Sequence, residues 1–130
     1  MQLRNHFLAT LHAALIAMAV MLVSVPALAS GNGDPHTLQG SEIRSLIAGN
    51  TVTGSMSSGQ DYAEFYAQDG TIHGRDYTGE WSIEDDKMCF DYGDGATCYE
   101  VAANDDAVTW VLGGESDGTG VVREGNPMDL

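Results

Sequence analysis

Basic residues are scarce in this chain: five lysines and arginines stand against 19 aspartates and glutamates, for a formal charge of −14 over 130 residues. A field of that sign repels phosphate backbones and anionic lipid headgroups, which excludes nucleic acid as a partner. Cysteine is equally sparse, with only Cys89 and Cys98. Nine residues apart, and with His36 and His73 far from each other in the chain, they form neither a C-x-x-C redox motif nor a zinc-ligand spacing. The chain also lacks H-E-x-x-H, a serine-nucleophile motif, internal repeats and heptads. No apolar run able to span a membrane follows residue 29. These absences leave no catalytic residue to assign and imply no cofactor and no metal.

What is present begins with an export signal. Arg4 and the amino terminus make a short positive region, Phe7 to Val25 is nearly all apolar, and Pro26-Ala27-Leu28-Ala29 ends in an A-x-A cleavage pattern. Residues 1–29 are therefore read as a signal peptide, and the product as periplasmic or secreted. The apolar run is longer than usual for a signal, so a retained anchor is the alternative. No cysteine follows the site to carry a lipid. Cleavage removes Arg4 and no acid, making the mature chain one unit more negative.

Residues 30–37 are polar and Gly- and Pro-containing, and read as a flexible leader. Residues 38–130 then suffice for one domain with a modest core. A short helix is expected first, with Ser41 as N-cap, Ile43, Leu46 and Ile47 as its apolar stripe, and Gly49 just past its end. Beyond Asn50 the pattern alternates in eight runs, at 51–56, 61–68, 71–77, 79–84, 87–92, 96–103, 107–113 and 118–124. Short turns at Asp69-Gly70, Asp85-Asp86, Gly93-Asp94 and Asp105-Asp106 can join only antiparallel neighbours. The fold class is mainly β: a single antiparallel meander of seven or eight strands forming a small barrel or half-barrel, with one short N-terminal helix.

Two-residue turns fix register, and here they agree with one another. The turns at 85–86, 93–94 and 105–106 gather Trp81, Ile83, Met88, Phe90, Tyr99, Val101, Val108, Trp110 and Leu112 on one face. They set Cys89 opposite Cys98, on the polar face, at a spacing of roughly 4.5 Å suited to a disulfide. That pairing is a staple for an oxidising compartment.

The Asp69-Gly70 turn, taken as a two-residue type I′ hairpin, sets Phe65 opposite Gly74 and Glu64 opposite Arg75. It collects Tyr62, Glu64, Tyr66, His73, Arg75 and Tyr77 on a polar face. Tyrosines supply rigid contact area with a hydroxyl, and a Glu64–Arg75 pair orients a polar ligand, so these six residues are the ligand-binding candidates. The competing reading is an exposed sheet face held by cross-strand pairs. An enzyme could draw on His73 beside Glu64 or Tyr66, or on a pair of carboxylates, although with 19 acids such a pair arises by chance and means little without a cleft. Asp91 with Asp94, and Glu115 with Asp117, match no calcium loop and read as turn-forming acids. The stretch from Gly113 to Gly120 has no lysine and precedes a strand, so it reads as a hairpin loop and not a phosphate cradle.

Several segments resemble a family of small, uncharacterised exported proteobacterial proteins, a domain-of-unknown-function grouping. They are Glu42-Ile43-Arg44 through Gly49-Asn50-Thr51, Phe65-Tyr66-Ala67 with Asp69-Gly70-Thr71, Gly74-Arg75, Gly79-Glu80-Trp81, Cys89-Phe90, Cys98-Tyr99 and Gly125-Asn126-Pro127. The resemblance implies an exported, disulfide-bearing β domain and carries no catalytic residues. Gly79-Glu80-Trp81 also resembles the G-x-W of the lipocalin first strand, though here it lies mid-chain.

The leading expectation is a non-enzymatic envelope module that binds an unidentified protein or small molecule through a sheet face or the barrel mouth. The alternatives are a small hydrolase-like enzyme and a structural or stress-protective envelope component.

Overall fold

A computed structural model describes residues 34–130. The expected signal peptide, 1–29, and leader residues 30–33 lie outside the described residues. The elements are β1 (His36–Thr37), α1 (Gly40–Ile47), β2 (Asn50–Met56), β3 (Asp61–Tyr66), β4 (Thr71–His73), β5 (Thr78–Glu84), β6 (Lys87–Asp91), β7 (Thr97–Asn104), β8 (Ala107–Leu112) and β9 (Glu115–Arg123). Each strand from β2 to β9 pairs antiparallel with its successor, and β9 pairs back with β2. The meander is thus a closed eight-stranded barrel, which leaves no long unpaired edge.

The expected flexible leader is corrected at its end. His36 and Thr37 pair with Ala103 and Ala102, and the Leu38 amide donates to the Val101 carbonyl at 2.8 Å. The cause is a difference in strand length: β6 starts at Lys87 and pairs with β7 only at residues 97–99, so the far part of β7 needs another partner.

The helix is capped two residues before the expected Ser41, by Gln39, and begins at Gly40. Its free amides are met by two acids, Glu42 on the Gln39 amide and Asp86 on the Gly40 amide, each at 2.7 Å. Asp86 comes from the β5–β6 turn, 46 residues away, so no local reading could find it. Ile43 and Ile47 are fully buried and close one end of the barrel with Ile72, Met88, Val101 and Val108. Arg44 lies over the Trp81 ring at 5.2 Å. Gly49 follows the helix with φ 79°, as expected.

The registers set by the acidic turns are observed: Trp81 faces Phe90, Ile83 faces Met88, Val101 faces Trp110 and Ala103 faces Val108. Asp85 and Asp86 both take left-handed φ, 49° and 58°, the conformation of a type I′ turn. Cys89 faces Cys98 and the two are joined by a disulfide, with Cα atoms 3.9 Å apart. The loop between them is wider than a two-residue hairpin, because paired strand ends at Asp91 and resumes at Thr97.

Three details differ from expectation. Leu112, expected on the core face, is exposed at the end of β8, directly before the Gly113-Gly114 turn. The expected long loop at 113–120 is a two-residue Gly113-Gly114 turn followed directly by β9, which closes the barrel. Most consequential, β3 and β4 pair Phe65 with His73 and Tyr66 with Ile72, one residue away from the expected register. Gln68-Asp69-Gly70 forms a three-residue loop: Ala67 donates to Thr71 O, Asp69 Oδ1 accepts from the Thr71 amide at 2.9 Å, and Gly70 has φ 93°. The Asx turn holds Asp69 below the usual carboxylate pKa, through hydrogen bonds from Thr71. A one-residue shift reverses every side chain on the strand.

Two pairs of the segments behind the family resemblance are joined in space. Thr51 Oγ1 donates to Gly125 O at 2.7 Å, Asn50 Oδ1 accepts from the Gly125 amide at 2.9 Å, and Trp81 Nε1 donates to Ala67 O at 2.8 Å. They hold the fold together.

Replacing Cys89→Ala together with Cys98→Ala is expected to lower the unfolding free energy by about 2.7 kcal/mol, the chain-entropy value for a closed loop of about ten residues. Urea denaturation measures it, and an unchanged midpoint would remove the disulfide from the account of stability.

Candidate functional site

With α1 at one end, the other end of the barrel opens into a cavity of about 580 Å³. The connections 57–60, 74–77 and 92–96 surround this opening, together with the tight Gly113-Gly114 turn. The cavity is aromatic from floor to rim. Phe90 is the hub of the floor, with ring centroids 6.0 Å from Tyr66, 5.6 Å from Tyr99 and 5.3 Å from Trp110. Tyr62 lines a wall, accepting from Trp110 Nε1 at 2.7 Å and donating to Thr119 O at 3.0 Å. Tyr77 and Tyr92 stand at the mouth with rings 6.0 Å apart in an edge-to-face arrangement. All five tyrosines of the chain line this space.

Glu64 lies among them, 5% exposed. Its Oε2 accepts from the Tyr66 hydroxyl at 2.5 Å, and its Oε1 accepts from Tyr77 and Tyr92, both at 2.8 Å. A buried carboxylate needs compensation, and here it comes from neutral phenols in place of a cation. Tyr77 and Tyr92 are 43% and 49% exposed, so their hydroxyls point inward while part of each ring meets solvent. Two glycines make this possible: a Cβ at Gly74 would come within 2.3 Å of the Tyr77 ring, and one at Gly79 within 2.7 Å of the Tyr92 ring.

The tyrosines respond to this setting. Burial, partly offset by the Trp110 hydrogen bond and reinforced by the Glu64 charge, pushes Tyr62 up to about 12. Burial and the same carboxylate raise Tyr66, Tyr77 and Tyr92 further. Tyr99 is raised by burial and by Asp117, to whose Oδ2 it donates at 3.2 Å.

Of the six candidate residues, the structure brings together Tyr62, Glu64, Tyr66 and Tyr77. His73 and Arg75 are not with them. His73 packs against Phe65 on the outer face, at 6.1 Å between centroids, and Arg75 is exposed in the 74–77 bend. The expected pairings of Glu64 with Arg75 and with His73 are therefore corrected, because the three-residue loop turns 62, 64 and 66 inward and His73 outward. Tyr92, Tyr99, Phe90 and Trp110 were not among the candidates. Three of them stood on the expected core face, and the signal was that this face and the tyrosines of β3 share one parity once the loop is counted as three residues. Asp91 acts as a turn acid, its Oδ1 accepting from the Gly93 and Gly95 amides, whereas Glu115 and Asp117, expected in a turn, lie within β9, where Asp117 Oδ1 accepts from Ser57 Oγ.

No family model, curated protein or solved structure matches the chain.

Tyr66→Phe is expected to cost about 1.5–3 kcal/mol, the range for a hydrogen bond to a charged group, because water cannot replace the lost donor. Tyr77→Phe should cost less than about 1 kcal/mol, since Oε1 retains Tyr92. Urea denaturation of the two variants checks the order.

The titration has a definite sign. With folded-state values raised above the ordinary value of about 10, tyrosine protonation stabilises the fold fully below pH 10 and loses that effect as pH rises through about 12. Tyrosinate absorbance is expected to stay flat across the normal phenol range and then rise together with loss of near-ultraviolet circular dichroism. A stepwise rise near pH 10 with the fold intact would contradict the burial of these hydroxyls.

Proposed function

We propose that this protein is a non-enzymatic binding module that takes up a small molecule with an apolar body in the open end of its barrel. The observation carrying this reading is the cavity itself: about 580 Å³, aromatic on floor and walls, with polar groups gathered at Glu64. That volume is typical of a ligand pocket, and an eight-stranded barrel is just wide enough for one small ligand. An alternative docking surface, the outer face of the β3–β4 hairpin, loses its tyrosines to the interior.

The hydrolase reading has little to rest on. His73 and Glu64 face opposite sides of the sheet, so they cannot act as a pair. An exported, periplasmic setting is supported by the disulfide and by the apolar, A-x-A-terminated N-terminus. Among the described residues no helix is long and apolar enough to cross a membrane. The family resemblance proposed from the sequence is consistent with the same setting.

Thr97 lies at the cavity mouth opposite Phe90, and it is exposed, so a larger side chain there blocks entry without burdening the core. The neutral probe N-phenyl-1-naphthylamine is expected to bind the purified protein saturably, one molecule per chain, with enhanced emission. Thr97→Trp should abolish this while leaving the melting temperature within a few degrees. No saturable binding, or equal binding by the variant, would refute the cavity reading.

A further inference from the structure

We infer that the ligand of this cavity is an organic ammonium ion, held by its charge against Glu64 and by its apolar body against the aromatic walls. This inference rests on the cavity reading above and names the chemical class that fits it.

The ionisable side chains lining the cavity, apart from the tyrosines, are Glu64 and Asp94, both acids. The cations of the described residues are elsewhere: Arg44 over Trp81 at the closed end, Lys87 and Arg123 at strand ends there, and Arg75 exposed in the 74–77 bend. An anion entering this space would meet two carboxylates and the negative faces of the rings. A neutral molecule would gain burial but leave the carboxylate as it is. A cation would gain attraction from both the carboxylate and the ring faces, the combination by which quaternary ammonium groups are bound in aromatic cages.

The hydrogen bonding at Glu64 permits the exchange. Oε2 is held by Tyr66, which is fully buried and anchors the carboxylate. Oε1 is held by two hydroxyls from the mouth, Tyr77 and Tyr92, whose residues are 43% and 49% exposed. A cation arriving at Oε1 displaces either hydroxyl toward water, where it finds a new partner, so no buried group is orphaned. The ring that moves then offers its face to the ligand. Asp94 on the 92–96 loop adds a second negative charge at the rim.

Three probes sharing a benzyl body and a tetrahedral head test the charge alone: benzyltrimethylammonium, its neutral carbon isostere neopentylbenzene, and phenylmethanesulfonate. They are titrated into the purified protein by displacement of N-phenyl-1-naphthylamine, at physiological ionic strength. There the Debye length of about 8 Å screens the surface charge. The cation is expected to bind about tenfold more tightly than the isostere, and the anion more weakly than either. Glu64→Gln should reduce the preference to about twofold or less while leaving the isostere's affinity nearly unchanged. Tyr77→Leu, at an exposed position, should weaken the cation more than the isostere and serves if Glu64→Gln does not fold. Equal or tighter binding of the isostere by the natural protein would overturn the ammonium assignment while leaving the cavity reading intact. Failure of the naphthylamine itself to bind would remove both.

Discussion

Glu64 is the constraint from which the open half of the barrel follows. A carboxylate that is 5% exposed has to be met by donors, and the chain meets it with tyrosine hydroxyls. That choice fixes β3, whose residues 62, 64 and 66 must share the inner face. It fixes the 74–77 bend and the 92–96 loop, which have to return Tyr77 and Tyr92 to one carboxylate oxygen. It also fixes Gly74 and Gly79, whose missing side chains leave space for those two rings. The glycines and tyrosines are thus one packing unit, spread over thirty residues of sequence and four strands.

The closed half obeys a more ordinary logic and was correspondingly easier to read. Trp81, Ile83, Met88, Val101, Ala103 and Val108 share one face, and the 85–86 and 105–106 turns are so short that only one register is available. The disulfide belongs to this readable part, since its sulfurs follow from the same counting. The site was half legible. Four of its residues were visible as a tyrosine-rich cluster around Glu64, but Asp-Gly supports a two-residue or a three-residue turn, and the two choices put that cluster on opposite faces. Consistency with the core face of β6 to β8 would have favoured the observed choice, because a closed barrel has a single interior. Asp86 on the helix N-terminus and β1 on the far part of β7 were beyond any local pattern, being contacts across dozens of residues.

The two ends of the barrel divide stability and recognition between them. At the closed end the helix contributes two fully buried isoleucines, and the β3–β4, β5–β6 and β7–β8 turns are compact. At the open end three longer connections supply Gln60, Tyr77, Tyr92, Asp94 and Gly95 to the cavity. Such connections contribute fewer buried contacts and so open locally at lower free energy than the core strands. The Cys89–Cys98 bridge lies at the base of the 92–96 loop. It confines the ends of the loop that carries Tyr92 and Asp94.

A paired Glu64 and Arg75 would have made a different protein. On the outer face, such an ion pair would have cancelled the carboxylate's field and left a neutral surface. Turning Arg75 to solvent and surrounding Glu64 with phenols does the reverse. Hydroxyl dipoles satisfy the oxygens without neutralising their charge, and the low dielectric around the rings lets that charge reach across the cavity. Phenols are donors at neutral pH in any case, and three of them satisfy both Glu64 oxygens, so the arrangement needs no cation to hold it. The inward register of β3 therefore decides more than packing: in place of a surface charge pair it sets a carboxylate that is hydrogen-bonded but not neutralised inside an aromatic cavity.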